Sequence, residues 1–346
     1  MAIIVLGMGT SHGPMLSTPP EKWDLRVPDD RRARHPYQGR TWSFDELVEL
    51  RRHEHLEQQI TPEVWRARHT ACRTALRTMA GMFEQAQPDI AVIVGNDQME
   101  IFTESLIPAF SVLWGDQIIN SMPQERLARM PPGVVIAVPG HIPPGGAIYP
   151  SVKGLGKHII ETAIRDEFDV AAMTKFPVDE TPHAFGFVYR QIMNDKIIPS
   201  VPVVLNTFYP PNQPTAKRCY EFGKSVLRAI QSWDSDARVA LIASGGLTHF
   251  VIDEVIDRTL IAAMRERSFE KFIELGEGIF QSGTSEIKNW MPVAGAMAEL
   301  DFEMHLIDYV PCYRSEAGTG NAMGFVCWLP GSEVANRRAP ARKSTL

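Results

Sequence analysis

The sequence predicts an α/β fold: a single central, largely parallel sheet covered by helices on both faces, with an inserted helical excursion. Three observations lead there. Short aliphatic runs bounded by glycine or polar turns recur along the chain, at Ile3–Leu6, Ile90–Val94, Val201–Leu205 and Val239–Ala243. Continuous apolar runs of that length, without polar alternation, suit strands buried on both faces. Amphipathic helical stretches separate most of them, the alternation expected of an α/β protein. With 346 residues, 44% hydrophobic and 22% charged, there is material for a large core.

The bulk chemistry narrows the classes. A formal net charge of -6 and a pI near 6.0 point away from nucleic acid and anionic membranes as partners. Cys72, Cys219, Cys312 and Cys327 form no CxxC pair, so neither a zinc knuckle nor a disulfide framework is indicated, and a reducing cytoplasm fits best. Met1 to Leu6 lacks a basic leader and reads as a first strand rather than a signal peptide. No apolar run approaches the ~18 residues of a membrane span.

Residues 2–7 form the first strand, and Gly7-Met8-Gly9-Thr10-Ser11-His12-Gly13-Pro14 follows as a loop. The Gly-x-Gly spacing is not a dinucleotide fingerprint, because Pro14 and the Ser17-Thr18-Pro19-Pro20 cluster forbid a helix at that point. What remains is a histidine at a strand end. The polar, Arg-rich stretch 21–42 reads as a surface excursion, followed by helices over 44–58 and 62–85, the second capped by Thr61 with Pro62 at its first position. His53 and His55, at i and i+2, face different directions and suit a solvated helix surface.

A buried strand over 89–94 ends in Gly95-Asn96-Asp97-Gln98, and further strands are predicted at 109–113 and 133–138. A Gly/Pro-rich loop from 139 to 150 contains His141. A helix over 151–166 and a strand over 169–173 precede the loop 177–183, where His183 opens the next helix. A helix N-terminus favours the neutral form of a histidine, which suits acid/base work. After the strand 201–206 and the helix 214–232, the strand 239–243 runs into Ser244-Gly245-Gly246-Leu247-Thr248-His249. Helices near 252–265 and 268–276 follow, then a helix from Ser282–Glu286 to about 300, and a strand pair at 303–310 and 323–328. One catalytic domain over 1–333, with the helical insertion at about 20–86, and a disordered tail over 334–346 complete the expected organisation.

A lone strand-end histidine is more often structural than functional. Here His12, Asn96-Asp97, Val178-Asp179 with His183, Asn206-Thr207-Phe208-Tyr209-Pro210-Pro211, Gly245-Gly246-Leu247-Thr248-His249, Ser282-Gly283-Thr284-Ser285-Glu286 and Gly318-Thr319-Gly320-Asn321 occur in one order. That ordered set resembles the class III extradiol ring-cleavage dioxygenases, the family of the catalytic subunit of protocatechuate 4,5-dioxygenase, over most of the chain except roughly 20–86.

The resemblance implies a non-haem Fe(II) held by two histidines and a glutamate, with positions left for a catechol-type or hydroxylated aromatic acid and O2. It assigns His12 and Glu286 to the metal, with Asn289 as an alternative to Glu286, and His249 and His183 to acid/base roles. At the second metal histidine the family pattern is Asn-Asp-His, whereas this chain has Asn96-Asp97-Gln98. A neutral amide oxygen is a weaker Fe(II) donor than imidazole. Three arrangements follow: Gln98 or Glu100 completes the site, His53 or His55 folds over to do so, or the iron is lost and the cavity kept. The leading expectation is an extradiol dioxygenase, working as a homodimer or with a small helical partner. The alternative is a metal-independent hydrolase or lyase that uses His249 and His183 alone, and a third reading is a non-catalytic binding protein on the same fold.

Overall fold

The computed structural model describes residues 1–331. Its centre is a nine-stranded sheet of β1 (Ile3–Thr10), β2 (Ile90–Asn96), β3 (Phe110–Leu113), β4 (Ala171–Met173), β5 (Ser200–Leu205), β6 (Arg238–Ser244), β7 (His249–Val251), β8 (Phe302–Tyr313) and β9 (Thr319–Pro330). The spatial order is β7-β9-β1-β6-β2-β5-β3-β4, with β8 also paired to β9. Strands β1, β6, β2 and β5 run parallel and form the buried middle; β9 joins β1 and β3 joins β5 antiparallel, and the edge pair β3 and β4 is parallel.

Alternate residues of the middle strands serve two cores, as the twofold period of a strand requires. Val92 and Val94 pack on one face with Phe222, Val226, Ile230, Trp290, Val293 and Met297. Ala91 and Ile93 pack on the other with Leu76, Met79, Phe83, Phe185 and Tyr189. The helix Pro62–Ala86 starts where expected, with the Thr61 hydroxyl accepting from the Val64 N–H and Pro62 in the first turn. It buries Cys72, Leu76, Met79 and Phe83 in a stripe at helical spacing. Each large apolar side chain there contributes about 1.5–3 kcal/mol by leaving water. No helix among the described residues is long and apolar enough to cross a membrane.

Several elements differ from the sequence expectation, among them the helix expected from Ser282, which is 3-10 as far as Asn289, and three others. The run 133–138 is not a strand: Pro132–Val135 is helical and Val138–Gly140 a 3-10 turn. Pro131 and Pro132 start that helix, no strand among the described residues pairs with it, and Val134 and Ala137 face a cavity. The helix expected over 44–58 stops after Phe44–Leu50, and short 3-10 turns separated by a left-handed His55 replace its second half. The terminal hairpin is longer than its apolar pattern, spanning Phe302–Tyr313 and Thr319–Pro330, so residues expected in a loop become strand. The tail expected over 334–346 lies outside the described residues.

The segment 20–33 is held over the carboxyl rim of the sheet by a buried ion pair. Arg314, in the hairpin turn, donates from Nε and Nη2 to the two oxygens of Asp30, both at 2.7 Å, and the Thr319 hydroxyl donates to Asp30 at 2.6 Å. Arg314 is 1% exposed and Asp30 5%. Removing one member strands the other charge in a desolvated site. Arg314→Met should therefore lower the unfolding free energy by about 3–5 kcal/mol in urea titration, and adding Asp30→Leu should recover much of that loss.

Candidate metal centre

Three parallel strands end side by side and deliver the site. Thr10 pairs with Ser244 and Ala243 with Val94, so β1, β6 and β2 stop at one level. Such a rim at the carboxyl ends of parallel strands is the common ligand position of open α/β sheets. It receives His12 from β1, the turn 245–249 from β6, and Asn96 to Glu100 from β2. Here the 3-10 stretch Ser282–Asn289 adds Glu286, and the short helix His183–Phe187 adds His183.

Glu286 is the hub. It is 3% exposed, not a surface carboxylate. One oxygen accepts from Asn96 Nδ2 at 3.2 Å and Gln98 Nε2 at 3.1 Å. The other accepts from the Gly246 N–H at 2.9 Å and lies 3.0 Å from His12 Nε2 and 3.5 Å from His249 Nε2. Burial works against ionisation, yet the facing His12 and His249 hold the carboxyl well below its ordinary value. The amide donors alone favour the carboxylate, whatever charge His12 carries.

The histidine tautomers follow from their other nitrogens. Ser244 Oγ donates to the Ala184 carbonyl at 2.6 Å, so toward His12 Nδ1, 3.0 Å away, it acts as acceptor. His12 Nδ1 thus carries the proton, and burial lowers its pKa, favouring the neutral ring. His249 Nδ1 donates to the Leu247 carbonyl at 2.8 Å. In their neutral forms, Nε2 of both rings turns a lone pair toward the Glu286 carboxylate. Converging acceptors of this kind call for a cation or a proton between them.

His183 adds a third donor. One ligand atom each from His12, His183 and Glu286 lie within 4.8 Å of one another, and the His12 and His183 rings meet edge to face with centroids 4.5 Å apart. Two imidazoles and a carboxylate make the facial donor set of non-haem Fe(II), so the residues fit that metal. The sequence expectation of a neutral His183 is corrected. Its Nδ1 and its backbone N–H both reach Glu100, at 2.9 and 2.8 Å, and although burial opposes charge, Glu100 raises the pKa to about 9. Glu100 is held near 2 against its own burial by the same pairing. A direct carboxylate contact outweighs the dipole of a five-residue helix. A metal ion would displace the remaining ring proton.

The other sequence candidates take separate positions. Gln98 reaches the site as a hydrogen-bond donor to Glu286, with its amide oxygen 3.5 Å from the Tyr209 hydroxyl. Asp97 shapes that turn by accepting from the N–H groups of Glu100, Ile101 and Phe102. Asn289 points its amide nitrogen at Asn96 and the Ser244 carbonyl and so braces the strand ends, leaving Glu286 to face the histidines. His53 and His55 are exposed and line no part of this cavity.

His249 is set by close packing. It does not end β6; it opens β7 beyond the turn 245–248 and pairs with Asn321. A Cβ on Gly246 would sit 2.3 Å from its Cε1, and one on Gly283 2.3 Å from its Cδ2, so the ring lies in a slot that only glycines leave open. Thr284 exchanges hydrogen bonds with the His249 backbone instead of capping a helix. Behind it, Asp257 accepts from the Thr248 N–H at 2.8 Å, the Thr248 hydroxyl at 2.7 Å and the Tyr309 hydroxyl at 2.7 Å.

His12, His183, His249 and Glu286 border a cavity of about 270 Å³ that also meets His141, Phe187, Met323 and Arg126. Burial and the neighbouring His183 pull His141 down to about 4. Sequence reasoning placed His141 only in a loop, and it passed over Ser244, Asp257 and Arg26. The strand-final position of Ser244, and an Asp257 one helical turn after Asp253, are the only signals that were available.

The fold is an α/β sheet whose strand rim carries a His12, His183 and Glu286 cluster that could hold a metal ion. Residues 73–319 match the family described as the catalytic LigB subunit of aromatic ring-opening dioxygenase, and the chain belongs to that family. It is similar to a gallate dioxygenase of Pseudomonas putida, 34% identical over 119 residues. That match spans 34% of this chain and 33% of the relative, about a third of each. A crystal structure of an uncharacterized protein, JW3007, of Escherichia coli K12 superposes with a TM-score of 0.43 and 13% identity, covering 74% of this chain and 92% of that one.

Two results should follow from the geometry. Gly283→Ala should displace the His249 ring, seen as movement of its imidazole NMR signals with the fold retained. Burial pushes the Asp257 carboxyl from 3.8 up to about 7. The folded protein then keeps a proton that the unfolded chain has released. The stability it contributes is fully present below pH 3.8 and lost as the pH rises through about 7. Urea midpoints measured across that window should fall with pH, and Asp257→Asn should flatten the fall.

Proposed function

We propose that this chain is a ring-cleaving dioxygenase that acts on a hydroxylated single-ring aromatic compound, with Fe(II) held by His12, His183 and Glu286. The observation that carries the reading is the gathering of one ligand atom each from His12, His183 and Glu286 within 4.8 Å of one another, around a carboxylate that accepts from Asn96, Gln98 and the Gly246 N–H. Family membership and the similarity to a gallate dioxygenase support it. When bound, the metal supplies adjacent positions at which an electron-rich ring and O2 can react.

The remaining chemistry falls to side chains. His249 Nε2 faces the cavity, its Nδ1–H fixed on the Leu247 carbonyl and its ring fixed by the glycine slot. It therefore suits a general base that takes the proton of a ring hydroxyl and later returns it. His141, kept neutral by burial, is a second proton acceptor in the cavity lining, its ring centroid 6.1 Å from that of His183. Phe187, Met323 and Val134 give the ring apolar contact and limit water. In this reading His183 binds metal, and the acid/base role expected of it passes to His249 and His141.

The metal-independent alternative would have to fill the acceptor cluster around Glu286 with a proton alone. Anaerobic Fe(II) loading followed by O2 uptake on a panel of catechols separates the two. Stoichiometric iron and oxygen consumption are expected, both abolished by Glu286→Gln; turnover that persists in chelator would overturn the proposal. His249→Ala should cost about 10²–10⁴-fold in kcat while keeping the iron. Gln98→His should raise Fe(II) affinity in a competition titration, because position 98 already touches Glu286.

A further inference from the structure

Arg26 closes the 3-10 helix Pro20–Arg26 and lines the cavity of the metal centre. Its guanidinium is poorly matched by protein. Nε is buried and has no hydrogen-bond partner among the described residues. The acids nearest to it are committed elsewhere: Asp29 pairs with Arg32, and Asp30 spends both oxygens on Arg314 and Thr319. The cavity's other arginine, Arg126, is different, since it donates to Glu180 at 2.6 Å and to the Glu100 carbonyl at 3.1 Å.

Arg26 as a whole is half-buried, and a cation partly withdrawn from water without a protein partner costs stability that an external anion can recover. Several features aim this one. The Asp30–Arg314 latch, four residues on, fixes its backbone, and Gly133 lets its stem pass so closely that a Cβ there would lie 2.9 Å from Arg26 Cγ. Its Cζ lies 5.9 Å from the Phe250 ring centroid, beside His249. Burial and the nearby Arg314 lower its pKa only to about 10, so it remains charged at neutral pH. Arg26 stands upstream of the span 73–319 that matches the family.

We propose that Arg26 is a specificity-determining residue of this cavity and receives the carboxylate of a single-ring hydroxylated benzoate through its guanidinium. This inference rests on the proposed function and names the substrate feature that this chain reads. A planar guanidinium suits two-point recognition of a carboxylate.

Calorimetric titration with two unreactive probes, 4-hydroxybenzoate and its neutral analogue 4-hydroxybenzamide, tests it without requiring turnover. The acid should bind the unmodified protein more tightly than the amide. Arg26→Met should weaken acid binding by about 10- to 100-fold while amide binding stays within about twofold, and Arg26→Lys should keep part of the preference. The melting temperature of Arg26→Met should be unchanged or higher. Equal affinity for both probes, an equal loss for both, or a lowered melting temperature would overturn the assignment, and Arg26→Gln gives the same comparison should the methionine variant not fold. Acid preference without ring opening would remove the dioxygenase reading and keep Arg26; turnover of catechols without acid preference would do the reverse.

Discussion

The structure turns on the buried carboxylate of Glu286. It is tied at once to the end of β2 through Asn96 and Gln98, to the turn after β6 through Gly246, and to the end of β1 through His12. These three strands are neighbours in the parallel middle of the sheet, so one side chain joins their exits into a single rim. A charge this deep is tolerable only because every approach carries a donor or a nitrogen able to share a cation. The constraint is mutual: the carboxylate orders the loops, and the loops keep it ionised.

Support for the centre comes from outside it. Ser244 sets the tautomer of His12 by giving its own proton to Ala184. Leu247 does the same for His249 through a backbone carbonyl, and Glu100 orients His183. Outer partners of this kind decide which ring nitrogen is free and thereby how a metal or proton is held. Asn289, Trp290 and Asp257 act a step further back, bracing the strand ends and the turn that bears His249.

A second buried pair positions part of the cavity lining. Asp30 and Arg314 pin the segment 20–33 against the terminal hairpin, and this brings Arg26 to the cavity wall. The ionic contact satisfies both of its members and leaves Arg26 unmatched. The cavity lining thus combines the histidines grouped around the Glu286 carboxylate with the Arg26 guanidinium.

By itself the sequence determined the local pieces. Unbroken aliphatic runs specified the middle strands, and Thr61-Pro62 specified the start of the long helix, because burial pattern and capping depend on neighbours along the chain. The order of His12, His183, His249 and Glu286 identified the family and the residues that meet. Tertiary structure decided what these residues do. The proton position on His12 depends on Ser244, far along the chain, and the charge of His183 on Glu100. Whether 133–138 could be a strand depended on a partner that is absent there. The role of Gln98 rests on a contact with Glu286, and that of Arg26 on Asp30 being claimed by Arg314. Each is a pairing across sequence distance, and composition and periodicity carry no record of which charges will be neighbours.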